Sequence, residues 1–116
     1  MRNLKLVVNN VSKNTRDKEI FFVKKELRTI LNLYGKMVSN GNWKDYGVSI
    51  GTREISFDIY QRASEKPIFR ILKSLKPKNY NEKFSIEDKH GNILEKSNNL
   101  FSMIEKTRWN NLRTVK

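Results

Sequence analysis

The chain has 116 residues, 24 Lys plus Arg against 12 Asp plus Glu, one His and no Cys, for a net charge of +12. That length holds one modest core. The absence of Cys excludes disulfides, thiolate metal sites and thiol nucleophiles, and a single His excludes most zinc and His-based acid–base schemes, so no metal, cofactor or catalytic group is expected.

No apolar run approaches the ~20 residues that cross a bilayer, so no membrane span is expected. The opening run Leu4-Lys5-Leu6-Val7-Val8 is too short for the apolar region of a signal peptide, which makes a cytoplasmic setting the default. The charge has two readings. With 16 Lys, 14 Asn and a single Ala, an A/T-rich coding sequence accounts for much of it without any partner. The placement of charge points instead to a polyanion. Lys66, Arg70, Lys73, Lys76 and Lys78 follow one another with no acid between them, and the segment from Lys106 to Lys116 is likewise acid-free.

In chain order, residues 1–18 are expected to be a loose N-terminal segment with one short strand at Leu4–Val8. Residues 19–109 form the expected α+β domain, and 110–116 a basic C-terminal tail. Ile20-Phe21-Phe22-Val23 has a β-type composition. A helix is predicted over about 24–39, with Leu27, Ile30, Leu31, Tyr34, Met37 and Val38 as its apolar stripe. Gly35 inside it implies close approach of another element, and Gly41 is suited to end the helix. Tyr46, Val48 and Ile50, then Ile55, Phe57 and Ile59, alternate with polar residues and predict a hairpin turning at Gly51-Thr52. Ile68–Leu72 is a third strand with Phe69 and Ile71 facing in. Residues 76–81 form a loop, and Phe84–Glu87 is a fourth strand that turns back through Asp88–Asn92 toward Ile93 and Leu94. A closing helix, capped by Ser97 or Asn98, presents Leu100, Phe101 and Ile104. The predicted fold is α+β: an antiparallel meander of four to five strands with two helices on one face, in the order β-α-β-β-β-β-α. Leu31, Tyr34, Val48, Phe57, Ile71 and Phe101 are the predicted core.

The stretch Glu26-Leu27, Ile30 to Gly35, Met37-Val38, Gly41, Trp43 and Asp45-Tyr46, continuing through Arg62 to Glu65, Pro67, Arg70-Ile71, Gly91 and Ile93-Leu94, resembles the bacterial family known as domain of unknown function 2794. The resemblance covers about residues 20–105. It implies a small folded domain in a bacterial cytoplasm and carries no activity, cofactor or partner to this chain.

Two groups of candidate site residues remain. Lys66, Arg70, Lys73, Lys76 and Lys78 are candidate phosphate contacts, reading nucleic-acid backbone rather than bases. Arg62, Ser64, Glu65, Asp45, Trp43 and Tyr46 are a candidate polar pocket for an anionic small molecule. The bland alternatives are that Trp43 and Tyr46 pack a corner, that Asp45 caps its own turn, and that Glu65 pairs with Arg62 or Arg70. On the polar sheet face, Asp45, Asp58 and Glu87 are carboxylates within conceivable reach of one another. His90, beside a Gly in a turn, reads as a turn residue. The expected function is a non-enzymatic basic module contacting RNA or DNA backbone. The alternatives are a domain that pairs with itself or another protein, and an enzyme or binder acting on an anionic metabolite through Arg62, Glu65 and Arg70.

Overall fold

The computed structural model describes residues 21–62 and 66–109. The predicted strand at Leu4–Val8, the loose segment 1–18, the tail 110–116, and Ile20, Ser64 and Glu65 lie outside the described residues.

Helix α1 spans Lys24–Ser39. Residues 21–23, the described part of the β-type run, are not a strand: Phe22 is buried, and Val23 is the extended residue from which the helix starts. The Val23 N–H donates to Glu26 Oε1 at 2.8 Å, half of a capping box. At the far end, Asn42 N–H donates to Met37 O and Gly41 N–H to Val38 O. Gly41 sits at φ +80°. This is a Schellman end, and it needs glycine's freedom at positive φ.

Strands β1 (Asp45–Ile50), β2 (Glu54–Tyr60), β3 (Phe69–Ser74), β4 (Phe84–Asp88) and β5 (Ile93–Ser97) follow, with a short 3-10 turn at Tyr80–Glu82 before β4. They form one antiparallel sheet in the order β1-β2-β3-β4-β5. Each strand is adjacent to its predecessor because every connection is short. Helix α2 (Leu100–Lys106) closes the described chain. Its cap is Asn99, which accepts from Ser102 N–H at 2.9 Å, rather than the predicted Ser97 or Asn98.

Register sorts the sheet into two faces. Val48 opposes Phe57, Phe57 opposes Ile71, and Ile71 opposes Ile86. These side chains share one core cluster with Ile30, Leu33 and Met37 of α1 and with Leu100, Met103 and Ile104 of α2. Both helices therefore cover the same face. Phe57 and Ile71 are buried as predicted, with Tyr34 and Val48 partly buried against them.

Two predicted core residues fall outside. Leu31 is 40% exposed and Phe101 is 60% exposed. In α1 the buried stripe runs through Ile30, Leu33 and Met37. Leu31 and Val38 stand about 80–100° around the helix from Ile30 at 3.6 residues per turn. In α2, Met103 takes the place expected for Phe101. Gly35 does not mark a close approach either: it is exposed, and nothing lies within 4 Å of where a Cβ would stand.

Candidate functional site

The five candidate phosphate contacts do not converge. Lys73 alternates in phase with Phe69 and Ile71, so it points into the core, where it is fully buried. Its Nζ donates to Glu26 Oε1 at 2.7 Å and to Phe21 O at 3.0 Å. It joins helix to sheet and faces no phosphate. Lys66 and Arg70 lie at the start of β3, whereas Lys76 and Lys78 are exposed beyond its end. At about 3.3 Å per residue, Arg70 and Lys76 are roughly 20 Å apart.

The candidate polar pocket does not assemble among the described residues. Trp43 is 3% exposed and lies in the core, its ring 5.5 Å from Trp109 and 6.3 Å from Phe69. Tyr46 stacks on Phe57 at 4.7 Å with the rings 6° apart. Both therefore belong to the helix-covered face. Asp45 accepts from Tyr46 N–H at 2.8 Å, the local bond expected of an Asx residue. Arg62 is exposed beyond β2.

What does assemble is a network on the open face. Arg70 opposes Asp58 on β2 and Glu87 on β4. Asp58 is 5% exposed. It accepts from Ser49 Oγ at 2.7 Å, Ser56 Oγ at 2.7 Å and Arg70 Nε at 3.0 Å. Arg70 Nη2 donates to Ser56 Oγ at 3.0 Å, and Nη1 lies 3.7 Å from Glu87 Oε1. Burial works to lower the Arg70 pKa, but the Asp58 hydrogen bond and the Asp58, Glu87 and Glu54 charges hold it above its ordinary value. Burial, aided by the Glu54, Asp88 and Asp58 charges, raises the Glu87 carboxyl despite Arg70. Asp88 is lowered: burial acts to raise it, and hydrogen bonds from the Asn92 and His90 backbone N–H groups and the Asn92 side chain outweigh that.

Beside the network lies an open concavity of about 620 Å³ with Lys66, Pro67, Lys89, His90 and Gly91 on its rim. The sequence carried a signal for the network, since Ser49, Ser56, Asp58, Arg70 and Glu87 all alternate out of phase with the core residues. It carried none for their mutual bonding, which depends on register. Of the three carboxylates expected within reach of one another, Asp58 and Glu87 flank Arg70, while Asp45 accepts from the adjacent Tyr46 N–H.

At the other end, Leu75 N–H donates to Arg53 O at 2.8 Å and Ser74 N–H to Lys83 O at 2.7 Å. The hairpin turn before β2, the segment after β3 and the residue before β4 are thereby tied together. Lys25, Glu26 and Lys83 line a second concavity there.

The chain is thus a basic α+β meander in which two helices cover one sheet face and an ionic network occupies the other. Among the described residues no helix is long and apolar enough to cross a membrane, and no group of three His, Asp or Glu is placed to hold a metal ion. The family model described as protein of unknown function (DUF2794) matches residues 20–104, and the chain belongs to that family. No curated protein and no solved structure matches it.

Proposed function

We propose that the chain is a non-enzymatic basic binding module that contacts nucleic-acid backbone through the cation-rich end of its sheet. One observation carries this reading: two backbone hydrogen bonds gather Arg53, Lys76, Lys78 and Lys83 from three separate segments. Arg53, Lys76 and Lys78 are exposed. Two acids nearby are already engaged, Glu26 by Lys73 and Glu82 by Lys96 at 3.6 Å. Long cationic side chains on a turn and a loop suit phosphate contact, which fixes position and reads no sequence.

Such binding is sequence-blind and steeply salt-dependent, with log K falling by about 0.9 per phosphate contacted for each unit of log salt on duplex DNA. Anisotropy with a mixed-sequence duplex checks this. Changing Arg53, Lys76 and Lys78 together to Gln flattens the slope by up to about three units. Changing Lys36 and Lys44 to Gln, at the opposite end, leaves it near the parent value. Equal weakening by both sets reduces the effect to net charge and overturns the reading.

A homo-oligomeric or protein-interaction role is the second reading, supported by the β1 edge. Tyr46–Ile50 carries no charge and pairs with β2 without a bulge, whereas the β5 edge has a register shift and Lys96. Unguarded edges of this kind pair with other chains. Ile50 is 47% exposed, and Leu31 and Val38 share a helix flank with Tyr34, whose ring lies 5.0 Å from Tyr46. Sedimentation that stays monomeric at high concentration excludes self-pairing.

A further inference from the structure

We propose that the concavity on the open sheet face is a binding site for a phosphomonoester group, with Arg70, Lys66 and Lys89 as its cationic contacts. It is distinct from the basic end discussed above and lies beyond the opposite end of β3.

Topology builds the site. Phe69 opposes Asp88, so the chain entering β3 through Lys66-Pro67 runs beside the β4–β5 turn that carries Lys89 and His90. All four residues line the concavity with Arg70 and the carboxylates of Asp58, Glu87 and Asp88. Arg70 is already oriented. Asp58 and Ser56 hold its Nε and Nη2, so the guanidinium plane is fixed before any ligand arrives. Nη1, at 3.7 Å, is beyond hydrogen-bond length from Glu87 and keeps donors for a ligand. A fixed guanidinium fork matches the oxygens of a phosphate and loses little freedom on binding.

Cations predominate among the groups still free to bind. Asp58 is saturated by three donors, and Asp88 by the N–H groups of its own turn. Lys66 and Lys89 are exposed and form no ion pair among the described residues. The lining balances three cations against the carboxylates of Asp58, Glu87 and Asp88. The groups left to contact a ligand are the Arg70 Nη1 donors and the Lys66 and Lys89 ammonium groups, all of which donate to a phosphate oxygen, with Glu87 competing for Nη1. A site of 620 Å³ accommodates a phosphate with a small substituent.

Two sources share this chemistry: a small phosphorylated metabolite and the terminal phosphate of a nucleic acid. The test titrates the full chain with inorganic phosphate, followed by amide chemical shifts, and then with a 5′-phosphorylated trinucleotide and its unphosphorylated form. Saturable shifts at Arg70, Lys89, His90 and Gly91 are expected, with a Kd in the millimolar range for phosphate alone. Lys66→Gln with Lys89→Gln removes two exposed charges that form no ion pair among the described residues, so it leaves the melting temperature unchanged and weakens phosphate binding about tenfold or more. Lys76→Gln with Lys78→Gln leaves phosphate binding unchanged, which separates this site from the nucleic-acid reading. Absence of saturation by about 10 mM phosphate, an unchanged Kd in the Lys66/Lys89 variant, or equal weakening in the Lys76/Lys78 variant overturns the proposal. A phosphorylated trinucleotide bound at least about tenfold tighter than phosphate and than its unphosphorylated form supports a nucleic-acid terminus as the source. Binding no tighter than phosphate supports the small metabolite.

Discussion

Lys73 of β3 and Glu26 in the first turn of α1 meet at 2.7 Å between helix and sheet, with the lysine side chain wholly buried and the glutamate 15% exposed. Glu26 does two things there, accepting from Lys73 and from the N–H of Val23 through the same Oε1. The pair therefore ties the start of α1 to the sheet. A buried pair of this kind gains little over apolar packing, yet removing one partner strands the other. Glu26→Gln is expected to destabilise by about 3–5 kcal/mol, as is Lys73→Met. The double variant should recover much of that loss. Urea midpoints of the two singles and the double check this, and additive losses would show that the two side chains are not coupled.

The core prediction turns on contrast. Phe57 is 0% exposed, stacks on Tyr46 and lies edge-on to Tyr34. Phe57→Ala should cost about 3–5 kcal/mol, enough to unfold a domain of ordinary stability. Leu31→Ala, at an exposed helix position, should cost less than about 1 kcal/mol. Similar losses from both substitutions in thermal melts would mean that Leu31 is covered in solution.

These residues also show what the sequence made legible. Strand alternation was readable because a sheet with one covered face imposes period two, and the strand sequence and meander follow from it. Helix rotation was not. Leu27, Ile30, Leu31, Leu33, Tyr34, Met37 and Val38 spread apolar side chains over about 160° of α1 at 3.6 residues per turn, wider than the stripe that packs, so two stripes fit and only packing chooses the one through Leu33. Lys73 is a different failure. The parity that placed Phe69 and Ile71 inward also placed Lys73 inward, but its charge and the following loop argued for solvent. Its partner lies 47 residues away, a separation that no local pattern encodes. The Asp58–Arg70 network was half legible: alternation put its members on one face, while their bonds depend on which residues register sets opposite.

Gly35 offers a test in the stabilising direction. It lies inside α1 with open space around the site of a Cβ and with φ outside the positive range. Nothing there requires glycine, and glycine in a helix interior costs about 1 kcal/mol relative to alanine. Gly35→Ala is therefore expected to raise stability by about 0.5–1 kcal/mol. A thermal melt checks it, and destabilisation would show that a partner of the intact molecule packs against that helix face.

The pH dependence of stability isolates Glu87. Its carboxyl titrates above the ordinary glutamate value of 4.5, first because it is buried, with Arg70 opposing that rise and Glu54, Asp88 and Asp58 adding to it. Between the unfolded and folded values the folded chain holds more protons than the unfolded one. Stability from this group is therefore complete below the unfolded value and is lost as pH rises through the folded one. Glu87→Gln removes that loss while keeping the size of the side chain. The variant should gain on the parent as pH rises from about 4 to 7, with the difference levelling off above the folded value. Urea midpoints measured at both pH values check the sign. A variant that loses ground on the parent at pH 7 would mean that the attraction between Arg70 and Glu87, at 3.7 Å, outweighs the burial of the carboxylate.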